Sequence, residues 1–287
     1  MSWSKQRAGL RSILSGSTCI RPASVYDAVS ARIAEDIGFE LGMLGGSTAS
    51  LTVLGDPDLM LITLSELAET VRRITRAGTL PLLIDADHGF GNALNVRRTV
   101  QELENAGAAG LTIEDTLLPT AYGQAKPQLI SLEEGVGKMK AAVEARVDPV
   151  LSIFARTAVN ITGLNDAIAR AKAYEGTGVD ALFFTGIKAR AELDAVRAAT
   201  SLPIMLGTTE PELDDIPYLT SAGVRIANQG HTPFAAAALA VHETLKALRE
   251  GTKPKDLKGL PSADFVNRYM RSGDVQKRSA AYLGLKA

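Results

Sequence analysis

Short apolar runs alternate with longer amphipathic stretches along the whole chain. The runs fall near 18–22, 40–44, 81–84, 110–113, 150–154, 181–184, 203–206 and 224–227. Each is a few residues long and mostly free of charge, which predicts strands buried on both faces. Apolar residues recur at helical spacing over 26–36, 65–77, 93–106, 132–145, 165–175, 189–199, 211–221 and 234–249. Strand followed by helix, eight times over, predicts a closed parallel (β/α)8 TIM barrel rather than an open doubly wound sheet. A helix before the first strand and a helical extension after the last unit complete the expected fold.

Local chemistry agrees. Gly107, Gly178 and Gly223 each stand between a helical stretch and a strand, where a left-handed residue stops the helix. Pro81 and Pro203 open strands, where proline is tolerated. Two connections are long, 45–64 and 114–131. Both follow strands, so both lie on the C-terminal face, where barrel active sites sit.

The 287 residues suit one barrel, so a single domain is expected over 1–287, with its core at about 17–250 and an arm at 251–287. The arm carries eight Lys/Arg against three Asp/Glu and reads as a solvated extension or a subunit contact. Net charge is −1, so no basic field points to nucleic acid. No apolar run has transmembrane length, and the N-terminal residues lack the apolar core of a signal peptide. A cytoplasmic location is therefore expected, in keeping with a single cysteine, Cys19. Only His88, His231 and His242 supply imidazoles, which disfavours zinc and leaves oxygen ligands for any metal.

The strongest local chemistry is Asp85-Ala-Asp87-His88-Gly89-Phe90-Gly91-Asn92, directly after an apolar strand. Carboxylates at i and i+2 of an extended chain face one side. Crowded carboxylates repel unless a proton or cation intervenes. Glu114-Asp115 ends the fourth strand in the same structural position, and Asp58 lies in the long loop after the second. Together they predict a hard divalent cation site that retains water. Gly45-Gly46-Ser47 offers backbone N–H groups and a hydroxyl to an anion. Arg156 closes the fifth strand, where it either pairs with a structural acid or clamps a substrate carboxylate. His231 follows the eighth strand and reads as structural or as a donor to the substrate.

Ser47 after two glycines, DADHGFGN, IEDTLLP and the ART at 155–157 resemble the isocitrate lyase and phosphoenolpyruvate mutase superfamily, over residues 17–250. GGSTASL, DADHGFGNALNV, TIEDTLLP and EEGVGKMKAA are most similar to its oxaloacetate decarboxylase branch. The resemblance implies a barrel whose eighth helix swaps with a neighbour, in a homotetramer built as a dimer of dimers. It implies Mg2+, or Mn2+ in its place, bound directly by Asp85, with Asp58, Asp87 and Glu114 holding its waters. It implies that Ser47 and Arg156 bind the carboxylate of a small oxo-acid and that His231 is the branch's own histidine.

The chain departs from the superfamily's lyases. Their gating loop carries a cysteine and a histidine after the fourth strand; here the segment reads PTAYGQAKPQLI. Their glutamate and asparagine after strands six and seven are replaced by Thr185-Gly186 and Gly207-Thr208, and Phe90 stands for a usual tyrosine. The expected function is Mg2+-dependent decarboxylation of oxaloacetate to pyruvate and CO2. A carbon–carbon lyase of 2-hydroxy di- or tricarboxylates, or a non-catalytic binding barrel, are the alternatives.

Overall fold

The computed structural model describes residues 3–285. Among these, the chain divides into two compact units between Thr232 and Pro233. The first contains eight parallel strands in sequence order. They are β1 (Ala23–Ser24), β2 (Gly42–Leu44), β3 (Leu82–Asp85), β4 (Gly110–Glu114), β5 (Ser152–Ala158), β6 (Ala181–Thr185), β7 (Ile204–Leu206) and β8 (Val224–Ala227). The ring closes through Ile20, whose N–H donates to Arg225 O at 2.9 Å while Ala227 N–H donates to Ile20 O at 3.0 Å.

Closure corrects the expected first strand at 18–22. Only Ile20 bridges there, and the regular pairing starts at Ala23. Pro22 has no N–H to give to a ladder, so the chain is interrupted between the two contacts. Cys19 lies before that strand rather than in it, with its N–H on Thr220 Oγ1 at 3.0 Å.

The barrel's helices are α1 (Ser4–Ser15), α2 (Ala28–Ile37), α3 (Gly46–Val53), α4 (Leu64–Thr75), α5 (Ala93–Asn105), α6 (Leu132–Ala145), α7 (Val159–Thr162), α8 (Leu164–Glu175), α9 (Arg190–Arg197) and α10 (Ile216–Ser221). Gly107, Gly178 and Gly223 follow α5, α8 and α10 with φ of 99°, 86° and 78°, the left-handed conformation expected of helix stops. The helix expected over 211–221 divides into a 3-10 turn at Pro211–Leu213 and α10.

Two apolar layers follow from the period of two along each strand. Leu82, Ile84, Leu111, Ile113, Leu182 and Phe184 face outward into the cluster shared with the helices. Met43, Leu83, Phe154, Phe183, Met205 and Ile226 fill the lumen. Leu10 and Leu14 of α1 join that inner cluster and plug its N-terminal end. Arg7 and Arg11 hold the plug in place. Arg7 donates to Asp148 at 2.6 Å and to Glu104 O at 2.8 Å, and Arg11 to Asp180 at 2.5 Å. One end of the barrel is therefore sealed, and ligands have access only to the other.

The second unit holds α11 (Thr232–Arg249), α12 (Ala263–Met270) and α13 (Ser272–Leu283). Ser262 caps α12 through Phe265 N–H, and Phe265 packs edge-on against Tyr269 with centroids 4.7 Å apart. No residue of α11 is buried.

Candidate active site

The strand alternation that fills the lumen also delivers the site. Two residues beyond Leu83, Thr112 and Phe154, the same inward parity places Asp85, Glu114 and Arg156 at the C-terminal rim. Asp85 accepts from Arg156 Nη1 at both oxygens, 3.0 and 2.8 Å, and from Thr112 Oγ1 at 3.1 Å. Arg156 Nε lies 3.0 Å from Glu114 Oε2, an ion-pair contact without the alignment of a hydrogen bond. The guanidinium packs over Phe183, 5.2 Å from the ring centroid. Of the two readings of Arg156, the pairing with acids is present in the fold, yet the side chain still lines the open cavity.

The turn after β3 brings in the second carboxylate. Asp87 adopts φ 47°, a left-handed conformation that aspartate tolerates better than most residues, and its N–H caps Asp85 Oδ1 at 3.2 Å. Its carbonyl accepts from Glu114 N–H at 2.8 Å, tying the two strand ends together. Asp87 and Glu114 are buried, and Asp87 Oδ2 has no hydrogen-bond partner. His88 is buried behind the turn, where burial and then Lys138 push its pKa down to about 4.

The glycine pair after β2 is not a loose loop. It starts α3, with Gly45 as the N-cap and no side chain capping it. The first N–H groups of a helix have no partners within it, so they are free for an anion. Two close approaches demand glycine here. A Cβ on Gly45 would collide with the His231 ring, and one on Gly46 would lie 2.6 Å from Asp87 Oδ1. His231 is held from the other side by Ser24, with Oγ 2.8 Å from Nδ1.

Gly45, Ser47, Asp58, Asp85, Arg156 and His231 surround one cavity of about 220 Å³. Asp58, Asp87, Glu114 and Arg156 line a wider adjoining one of about 530 Å³, together with Thr116, Leu118, Pro119 and Thr120 of the arm after β4. The base of that arm is paired, Thr116 against Leu129. All the residues expected at the site thus gather on one face. Asp115 does not join them. It accepts from Tyr174 OH at 2.7 Å and Arg170 Nη1 at 3.1 Å, a buried anchor on α8.

Electrostatics mark the acidic half as strained. Burial, then Asp85, Asp58 and Glu114, hold the Asp87 pKa well above the carboxylate range. Burial raises Glu114, opposed by Arg156. Asp58 stays exposed at the rim, yet lost hydration and the Asp85 charge raise it too. Burial works against the charge of Arg156, but Asp85, Glu114 and Asp87 outweigh it and raise its pKa. Four carboxylates share one guanidinium, and one buried carboxylate oxygen lacks any partner. An oxygen-only donor set with surplus negative charge fits a hard divalent cation. Among the described residues, no three acidic, histidine or cysteine groups converge to ligate one ion together. A cation held here would have few direct protein ligands and would take the rest of its shell from water.

Sequence reading overlooked four contributors: Ser24, Thr112, Thr185 and Asn228. The detectable signal was parity, since each strand's inward register continues to the rim.

The fold and site define a (β/α)8 barrel with an acidic, arginine-clamped mouth beside a helix N-terminus. The chain belongs to the phosphoenolpyruvate phosphomutase family, whose model matches residues 10–249. It is 67% identical over 287 residues to an oxaloacetate decarboxylase of Bradyrhizobium diazoefficiens (strain JCM 10833 / BCRC 13528 / IAM 13628 / NBRC 14792 / USDA 110), covering 100% of both chains. Among solved structures, oxaloacetate acetylhydrolase in complex with the inhibitor 3,3-difluorooxalacetate superimposes with a TM-score of 0.86 at 27% identity, covering 99% of this chain and 98% of that one. Phosphonopyruvate hydrolase in complex with oxalate and Mg2+ gives a TM-score of 0.86 at 28% identity, covering 97% and 99%.

Proposed function

We propose that this chain decarboxylates oxaloacetate to pyruvate and CO2 with a divalent cation, Mg2+ or in its place Mn2+. The observation that carries the reading is a mouth able to hold both a cation and an oxo-acid, on a chain 67% identical to an oxaloacetate decarboxylase. Asp85 would bind the ion directly, and Asp58, Asp87 and Glu114 would hold its waters. When bound, the cation supplies a Lewis acid for the keto group as negative charge develops there. Arg156, the Ser47 hydroxyl and the N–H groups at the start of α3 bind the carboxylate next to the keto carbon. His231 contacts the substrate from the β8 side. Loss of CO2 requires no enzyme base, and water supplies the proton that completes pyruvate.

A lyase acting on a 2-hydroxy acid needs an acid and a base around the cleaved bond. The arm at 116–129 contains no cysteine or histidine, and strands six and seven run into Thr185-Gly186 and Gly207-Thr208, which supply neither an acid nor a base. A non-catalytic barrel is disfavoured because uncompensated buried carboxylates cost stability without use. The exposed length of α11 supports its exchange between neighbours in a homotetramer. Among the described residues no helix is long and apolar enough to cross a membrane. Action in the cytoplasm is part of the same proposal and is compatible with a chain whose single cysteine, Cys19, can form no internal disulfide.

The test is turnover of oxaloacetate, 2-methylisocitrate, isocitrate, dimethylmalate and phosphonopyruvate, each with and without Mg2+. Oxaloacetate is expected to lead, with activity lost in EDTA. Faster cleavage of methylisocitrate or a substituted malate overturns the reading.

Arg156→Lys is expected to lower kcat/KM for oxaloacetate by about tenfold or more, because an ammonium cannot reach Asp85, Glu114 and a substrate carboxylate together. Unchanged kcat/KM would leave Arg156 with a purely structural role. His231→Gln should cost about tenfold in turnover, the value of one hydrogen bond to a charged group. Burial holds the His231 pKa below the ordinary range, against the pull of Asp85 and Asp58. The unfolded chain therefore takes up this proton first. The stability His231 contributes is complete above the unfolded pKa of about 6.5 and is lost as pH falls through the lowered value. Thermal melts at falling pH should show the glutamine variant losing less stability than the wild type.

A further inference from the structure

Asp85, Glu114 and Arg156 stand on one half of the rim; among the described residues that line the smaller cavity, the other half, with Thr185, Thr208 and Asn228, carries no Asp, Glu, Lys or Arg. Continuing the inward parity past Phe183, Met205 and Ile226 gives Thr185, Gly207 and Asn228. Asn228 thus lies one inward step beyond Ile226, as Asp85 lies beyond Leu83 in β3 and Arg156 beyond Phe154 in β5. It lines the smaller cavity together with Thr185 and Thr208. Its backbone is pinned by donation of the N–H to Leu206 O at 3.1 Å. Its side-chain Oδ1 is buried without a hydrogen-bond partner. Among the described residues no protein contact dictates which end of the amide faces the cavity. A planar amide turned over presents an NH2 donor in place of the oxygen. An amide on a half-buried residue, with its oxygen buried and without a protein partner, is suited to a polar group of a ligand.

We infer that Asn228, flanked by the hydroxyls of Thr185 and Thr208, is the subsite for the carboxylate that leaves as CO2. The inference rests on the decarboxylase reading and adds the half of the substrate that reading leaves unassigned. Arg156 is tied to Asp85 and Glu114 on the opposite side, so its charge serves the carboxylate beside the keto group. The leaving carboxylate faces neutral donors.

That neutrality suits the chemistry. The C3–C4 bond breaks, its electron pair moves into the C2–C3 bond and onto the keto oxygen, and C4 departs as neutral CO2. C3 then takes a proton from water. Charge leaves the C4 carboxylate as the bond breaks. A cation placed there would bind the ground state more strongly than the transition state and slow the step. An amide and two hydroxyls orient the carboxylate without that penalty.

The experiment compares oxaloacetate with oxalate, which has no third carbon and no distal carboxylate. Asn228→Asp places a negative charge against the C4 carboxylate. It is expected to lower kcat/KM for oxaloacetate by about tenfold or more, while the inhibition constant of oxalate stays within about twofold. Thr208→Val, at an exposed position that tolerates change, should move oxaloacetate in the same direction by less. Asn228→Lys should lower KM and lower kcat further, the signature of ground-state over-stabilisation. Equal effects on oxaloacetate and oxalate, or unchanged oxaloacetate kinetics in folded Asn228→Asp, overturn the subsite. If Asn228→Asp fails to fold, Asn228→Ser and Thr208→Val make the same comparison. A wild type that binds oxalate but leaves oxaloacetate intact overturns the decarboxylase reading instead.

Discussion

Asp85→Ala is expected to lower metal-dependent turnover of oxaloacetate by roughly a thousandfold or more, since a bound cation supplies several kcal/mol of charge stabilisation. Asp85 is where the site's interactions meet: Arg156, Thr112 and the Asp87 N–H all converge on its carboxylate. It also raises the pKa of Asp58, Asp87 and Glu114. Its removal relieves that repulsion while leaving Arg156 its contact with Glu114. The two changes oppose one another, so the melting temperature should move little. The check pairs a turnover assay with calorimetric Mg2+ titration and a thermal melt. A variant that keeps wild-type turnover and Mg2+ affinity would remove Asp85 from the metal site.

The second large effect is expected from Gly46→Ala, a change of one methyl group. Its Cβ would lie 2.6 Å from Asp87 Oδ1, and Asp87 is buried in a turn with little room to retreat. Displacing a carboxylate that orients a cation's waters costs about 10- to 100-fold in affinity or activity. Gly137→Ala is the control, because nothing lies within 4 Å of the added carbon. That variant should keep full activity and gain up to about 1 kcal/mol of stability from helix propensity. A Gly46→Ala enzyme with unchanged Mg2+ dependence and kcat/KM would show that Asp87 has freedom the packing denies it.

The rim residues explain why part of the site was legible early. Asp85 and Glu114 end apolar strands, and Arg156, expected to close the fifth, lies two residues before the end of β5; a charge at such a place is conspicuous in any sequence. Thr185 and Asn228 hold equivalent places but are uncharged, so nothing in composition distinguishes them from loop residues. Asp115 shows the reverse. It neighbours Glu114 and has the same chemistry, yet strand parity turns it outward to Arg170 and Tyr174. The start of α3 was hidden for another reason. Gly45-Gly46-Ser47 has turn composition, and α3 buries small residues such as Thr48, Ala49 and Ser50 rather than a large apolar stripe.

Periodicity and punctuation along the chain determined the eight strand–helix units, the glycine helix stops and the face on which the acids stand, because these depend on local spacing. Tertiary structure decided the rest. Which of two adjacent acids enters the site depends on inward or outward register, which neighbouring strands settle together. The closing contact at Ile20 depends on β8, more than two hundred residues away in the chain. The requirement for glycine at 45 and 46 comes from His231 and Asp87, side chains that only the folded barrel brings against them.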